Sequence, residues 1–328
     1  MSTPAWFTEA LATPSHAGAV EVDGVTVRYL TAGPKDAPSL VVVHGGTAHA
    51  QWWWPVAARF ARDHRVVLPD LSGHGTSDHR EEYSFDGWAT ELVAVIEKAV
   101  PGRPTTLVGH SIGGLVCLAV AASRPDLVAG VITCDTLLTD PDAEPPRVAG
   151  RHGAGPRPAP TYGSVGEARA RFRTLPPQDG YADYVLDHVV PHSLRQDGER
   201  WGWRFDRGIL AQFDERVATL AWPWLRRLRC PLGYLRSEHG LTPRSVVARL
   251  RDELPVPVLL GEVPDAGHHA MLDRPEELHT ALAAMMVELG GEGRPAGARA
   301  GRSVLVRPRQ RPEAEVERPP AQRGDRAR

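Results

Sequence analysis

The sequence predicts an α/β architecture in which a mostly parallel sheet is covered by helices on both faces. Short β-branched runs alternate with segments of helical periodicity, which is the pattern of strands joined by crossover helices. A Gly-rich turn joins one of these runs directly to a helix, and the alternation stops near residue 136 and resumes near residue 223.

Residues 1–19 are read as an N-terminal extension. Segments 20–22 and 25–30 flank Asp23-Gly24, a dipeptide that accepts the positive φ angles of a two-residue turn, and so predict a β-hairpin. Residues 40–43, 65–68, 105–108 and 128–133 are the next strands, and 51–62, 84–100 and 115–122 the helices between them. Their near-continuous apolar character implies strands buried on both sides. The pattern returns with a strand at 231–235, a helix at 245–254, a strand at 256–260 and a last helix at 276–288. The expected core is therefore 20–135 with 223–289, interrupted by an inserted helical cap at 136–222. Within the cap, 165–172, 181–190 and 209–220 carry weak helical periodicity. Trp201, Trp203 and Phe205 alternate as in an extended stretch with one aromatic face, and the Gly/Pro/Arg-rich 150–160 reads as a mobile approach.

From residue 290 to 328 the composition shifts. Ten arginines stand against four glutamates and one aspartate, with many Pro and Gly, so this tail cannot offset its ordering entropy and is expected to be disordered. The 328 residues carry a formal net charge of -2 overall, which gives no reason to expect a nucleic acid or a membrane as partner. Cys117, Cys134 and Cys230 have no framework spacing and read as free buried thiols. With no leader pattern and no apolar run of membrane-spanning length, a cytoplasmic protein is expected.

The chemistry concentrates at Gly109-His110-Ser111-Ile112-Gly113-Gly114, between the strand at 105–108 and the helix that follows. This is the context of a nucleophile elbow, in which flanking glycines make room for a serine on a strained strand-to-helix turn. The helix N-terminus behind it supplies free N–H groups suited to an oxyanion. A serine hydroxyl is a poor nucleophile at neutral pH, so an imidazole base and a carboxylate that orients it are also required. Two histidines, His268 and His269, follow the last predicted strand and reach the same sheet edge.

Over about residues 20–288 the chain resembles the α/β-hydrolase fold family, in its capped branch of esterases, carbon–carbon bond hydrolases, haloalkane dehalogenases and epoxide hydrolases. The resemblance rests on Val43-His44-Gly45-Gly46, on the 70–77 stretch Asp-Leu-Ser-Gly-His-Gly-Thr-Ser, on the elbow, and on the stretch from Gly267-His268-His269 to Pro275. It implies Ser111 as nucleophile and His268 as base, with His269 a neighbour that lines the site or packs. The usual acid slot after the strand at 232–235 holds Gly240, so Asp135, after the earlier strand, is the preferred acid and Glu238 the alternative. The loop after the first parallel strand implies an oxyanion hole made by the N–H groups of Gly46 and Ile112, with His44 in a structural role.

His110, Trp53 and His269 are the residues expected to line the substrate pocket. Trp52, Trp53 and Trp54 begin a helix and cannot all face it. The Gly73-His74-Gly75 turn lacks the spacing of a phosphate loop and reads as a tight connection, and Arg169, Arg171 and Arg173 as a solvated face. The histidines His188 and His192 form no metal-like set, so no metal and no cofactor are expected.

What the resemblance implies is a cofactor-independent serine hydrolase acting on an ester, thioester or lactone of a small, partly apolar molecule. The same residues suit a carbon–carbon bond hydrolase or an acyltransferase. A non-catalytic ligand-binding homologue is a further reading, to which Gly240 lends support. A small-molecule substrate is the one partner expected.

Overall fold

The computed structural model describes residues 3–142, 159–212, 217–290 and 303–305. A helix, α1 (Ala5–Leu11), precedes a hairpin of β1 (His16–Val22) and β2 (Val25–Ala32). Val22 pairs with Val25 across its turn, where Asp23 (φ 49°) and Gly24 (φ 80°) both take the left-handed conformation that a two-residue hairpin loop needs. There follow β3 (Ser39–Val43), α2 (Ala50–Ala57), β4 (Arg65–Pro69), α3 (Phe85–Ala99), β5 (Thr105–His110), α4 (Ile112–Ser123) and β6 (Val128–Cys134). An inserted segment holds β7 (Thr161–Tyr162), α5 (Val165–Ala170), α6 (Asp183–His192), β8 (Leu194–Asp197), β9 (Arg200–Trp203) and α7 (Val217–Leu225). The chain then returns through β10 (Leu232–His239), α8 (Arg244–Glu253), β11 (Val258–Gly267), α9 (Ala270–Asp273), α10 (Pro275–Gly290) and β12 (Ser303–Leu305).

Among the described residues the main sheet has nine strands in the order β1-β2-β4-β3-β5-β6-β10-β11-β12. β2 runs antiparallel to β1 and β4, and every other neighbouring pair is parallel. Successive side chains of a strand point to opposite faces, and both faces here are apolar. Val41, Val43, Val67, Leu107 and Val131 join one core with α3 and α4. Leu40, Val42, Leu68, Val108 and Ile132 join a second core with α2 and α10. β6 pairs directly with β10, so the inserted segment leaves the sheet and returns beside its own point of departure. That topology puts the ends of β5, β6 and β11 at one edge.

Three expectations are adjusted. The inserted segment, expected to be helical, also carries a three-stranded antiparallel sheet, β7-β9-β8; its strands of two to four residues are too short to give a periodic signal. The expected extension contains α1, whose Phe7 is buried against Tyr184 and His188 of α6, and β1 begins within it at His16. Of the tail, expected without order, Gly290 ends α10 and Ser303–Leu305 adds a parallel strand to β11, while 291–302 and 306–328 lie outside the described residues, as does 150–158 of the approach to the insertion. All three cysteines are free and buried. Among the described residues, no helix is long and apolar enough to cross a membrane.

Candidate active site

Ser111 sits between the last residue of β5 and the first of α4 with φ 54° and ψ -124°, a conformation that side chains rarely adopt. The flanking glycines make the turn sterically possible. A Cβ on Gly109 would run into the backbone of Gly113, and one on Gly113 into the carbonyls of Val43 and His44. Backbone bonds fix the turn: Ser111 donates its N–H to Cys134 O at 3.1 Å, and Gly114 donates to Ser111 O at 3.0 Å. Ile112 opens α4, so its N–H has no acceptor one turn back within the helix. The loop after β3 comes close, since a Cβ on Gly45 would fall 3.2 Å from the Ser111 Cβ. Gly46 and Ser111 are both partly exposed, which leaves this side of the site open.

His268 immediately follows β11, and Asp135 immediately follows β6. Although 133 residues apart, their side chains meet: His268 Nδ1 lies 2.6 Å from Asp135 Oδ2 with both residues buried. A buried carboxylate needs further donors. Asp135 receives the N–H of Leu241 at 2.9 Å and that of Ser237 at 3.4 Å. Its turn is held from below, as Asp135 N donates to Leu235 O at 2.9 Å and the Tyr234 hydroxyl to Thr136 O at 2.5 Å. Asp135 itself has φ 42°, so the carboxylate owes its direction to a left-handed backbone.

Glu238 lies elsewhere. Its carboxylate accepts the N–H of Asp265 at 2.9 Å at the partly exposed end of β10, and that bond holds it below the ordinary glutamate range. The glycine in the usual acid slot has a steric reason, because a Cβ on Gly240 would run into the Asp135 carboxylate. Of the two carboxylates left open by the sequence, Asp135 is the one joined to His268.

His268 Nε2 has no hydrogen-bond partner, so the Ser111 hydroxyl is not bonded to it in this conformation. Unliganded sites often leave this link unmade. Around it stand two further imidazoles. Ring centroids are 4.7 Å apart for His110 and His268, 4.6 Å for His268 and His269, and 5.2 Å for His110 and His269. His110 Nε2 donates to His268 O at 2.9 Å, which ties the elbow to the histidine loop. Burial, and then the neighbouring rings, push His110 and His269 well below the usual histidine range, so both are neutral.

His44 serves its own loop: its Nδ1 donates to Gly45 O at 2.7 Å, and its Nε2 accepts from Leu71 N at 3.1 Å. The Gly73-His74-Gly75 turn is likewise a tight connection, with the Asp70 carboxylate receiving both N–H and hydroxyl of Thr76. Arg169 pairs at the surface with Asp183 and Asp187. All three tryptophans of α2 are buried, and they divide as helix geometry requires. Trp53 lies 6.3 Å from the His110 ring, while Trp52 lies 5.6 Å from His269 and 5.6 Å from Phe172.

Two contributors were not found from the sequence. Trp52 belonged to a noted run, but only the register of α2 turns it toward His269. Gln178, from the inserted segment, accepts the His269 N–H at 2.8 Å through Oε1 and so links that segment to the histidine loop. No local pattern marks it.

A profile of the "Alpha/beta hydrolase family" matches residues 40–281. Lipase LipV of Mycobacterium tuberculosis is 26% identical over 251 residues, covering 75% of this chain and 92% of its own. The sn-1-specific diacylglycerol lipase ABHD11 of Mus musculus is 23% identical over 269 residues, with 77% and 82% covered. Among solved structures, the thioesterase domain from the curacin biosynthetic pathway superposes with a TM-score of 0.67 at 20% identity, covering 82% of this chain and 99% of that one. With the elbow, the sheet order and a family match over most of its length, the chain belongs to the alpha/beta hydrolase family and is a hydrolase.

Proposed function

We propose that the protein is a serine hydrolase that cleaves an ester, thioester or lactone of a small, partly apolar molecule through an acyl-enzyme. The observation that carries this reading is the buried 2.6 Å link from His268 Nδ1 to Asp135 beside a strained Ser111. With Nδ1–H donated to the carboxylate, the free lone pair of His268 sits on Nε2, the nitrogen that accepts the Ser111 proton. Rotation of the Ser111 hydroxyl toward that nitrogen completes the relay. Ser111 Oγ attacks the carbonyl carbon, the carbonyl oxygen becomes an oxyanion, and the N–H groups of Gly46 and Ile112 hold its charge. Collapse expels the alcohol or thiol, which takes the proton back from His268. Water, deprotonated by the same nitrogen, then releases the acid and restores Ser111.

The aromatic series from Trp52 through Phe172 to Tyr181 and Trp203, each step within 6 Å, supports an apolar acyl group. Trp52 packs on His269 and Trp53 beside His110, so the series reaches the histidines around Ser111. Two relatives named as lipases support acyl esters as the substrate class. The test is a panel of p-nitrophenyl esters and acyl thioesters of increasing chain length, assayed with the wild type and Ser111→Ala. Turnover of medium-chain substrates that falls by about 10⁴-fold or more in the variant is the expected result. Equal rates in both proteins contradict the reading.

A further inference from the structure

The buried Asp135 carboxylate takes one of its two backbone donors from a stretch that apolar packing does not hold. Ser237 N, 3.4 Å from Oδ1, belongs to β10 and is fixed by pairing with β11. Leu241 N, the closer donor at 2.9 Å from Oδ2, lies past the end of that strand, and its side chain is 37% exposed. Polar bonds must therefore hold it. Gly240 donates its N–H to Ser237 O at 3.0 Å, which bends the chain after the strand.

One side chain spans the whole stretch. Arg236 donates Nη2–H to Glu238 O at 2.7 Å and Nε–H to Thr242 O at 2.9 Å, so its guanidinium bridges the two ends of 238–242 with Leu241 between them. Nη1 donates to Glu262 Oε2 at 2.6 Å, on the residue paired with Arg236 across β10 and β11. A planar fork reaches three acceptors in separate directions, whereas an ammonium is a single point. The Thr242 hydroxyl completes the fastening: it donates to Thr136 O at 2.9 Å and accepts the Leu138 N–H at 3.1 Å, tying 238–242 to the turn that carries Asp135.

We propose that Arg236 is a positioning residue for the hydrolysis, holding the Leu241 N–H against Asp135 Oδ2. That oxygen is also the one that receives the His268 Nδ1–H. With the Leu241 N–H in place, Oδ2 is kept facing His268. Without it, the carboxylate turns about its Cβ–Cγ bond and the imidazole loses a fixed partner. The stretch after β10, which holds Gly240 where the acid usually stands, thus supplies a donor to an acid that stands elsewhere. The catalytic consequence rests on the serine-hydrolase reading; the hold on Asp135 does not.

The test reads the His268–Asp135 bond without serine chemistry, by proton NMR of full-length Ser111→Ala protein. A proton in a short imidazole–carboxylate bond resonates far downfield. Arg236→Lys, which keeps the charge and loses the span, is expected to move that resonance upfield or broaden it. With Ser111 present, the same substitution lowers kcat on the best ester by about 10- to 100-fold and leaves KM within about twofold, because no substrate contact is lost. Thr242→Val loosens 238–242 without changing any charge and moves both readouts the same way, so it decides the matter if the lysine variant does not fold. Arg244→Ala removes the exposed second guanidinium on Glu262 and leaves both readouts unchanged. An unchanged resonance and kcat in Arg236→Lys, an equal loss in Arg244→Ala, or a raised KM with kcat unchanged overturns the proposal. Absence of the downfield proton with Arg236 intact contradicts the His268–Asp135 pair, and the positioning falls with it. A resonance that responds to Arg236→Lys in a protein without ester turnover contradicts the hydrolase reading and leaves the hold on Asp135 standing.

Discussion

Asp135 stands one residue past β6, with φ 42° and its carboxylate in the space that a side chain at position 240 would need. The two positions exclude each other sterically, so an acid supplied after β6 goes with glycine in the later slot. From this, Asp135→Asn is expected to lower kcat by about 10⁴-fold through loss of the correct His268 tautomer, with little change in fold. Glu238→Gln, whose carboxylate serves Asp265 N, keeps wild-type turnover. Gly240→Ala overpacks the acid and is expected to cost about 1–3 kcal/mol, visible as a lower Tm together with reduced turnover. Ser111 and His268 were legible because each lies in a local pattern. The acid was not, because its partner is 133 residues away and the choice depends on which carboxylate the turn after β6 leaves room for.

Among elements, the strands that were easiest to read are those with both faces buried. The β-branched runs of β3, β4, β5 and β6 give the same signal in sequence as in packing, and Asp23-Gly24 fixes the β1–β2 hairpin. The far ends of β10 and β11 were missed. Beyond Leu235 and Leu260 these strands continue through Arg236, Glu238, Glu262 and Asp265, where an Arg236–Glu262 pair at 2.6 Å and backbone pairing replace apolar burial. Helix α2 shows the reverse case: its Trp run was evident and Trp53 was the ring expected at the pocket, but the register of α2 buries Trp53 beside His110 and turns Trp52 toward His269 and Phe172. Gln178 connects elements that the sequence could not join. Gln178→Leu leaves the His269 N–H without its acceptor, a loss of about 1–3 kcal/mol. Thermal unfolding should register it as a lower Tm, and loosening of the histidine loop as a lower kcat.

Across the whole molecule, the sheet separates two apolar cores, and His188 and His279 are partly buried against the second, beside Phe7 and Phe60. Burial lowers His188 and His279 to about 4. Their unfolded value is about 6.5, so the unfolded chain takes up protons first as the pH falls. Their contribution is fully present above about pH 6.5 and declines toward pH 4, each adding up to about 1.4 kcal/mol per pH unit to the slope. Thermal unfolding from pH 7 to pH 4.5 should show Tm falling, with a shallower fall in His279→Gln. A Tm independent of pH over this range contradicts the lowering of these rings. The inserted segment was the least legible part of the chain, because its short strands and helices take their order from packing on α1, α2 and the histidine loop.

The central claim is that Ser111 is a nucleophile activated by the His268–Asp135 pair. Intact-mass measurement after treatment with a fluorophosphonate tests it most directly. One adduct per chain on the wild type is expected, absent from Ser111→Ala and formed far more slowly with Asp135→Asn. No adduct on the wild type, or an adduct that survives Ser111→Ala, contradicts the account.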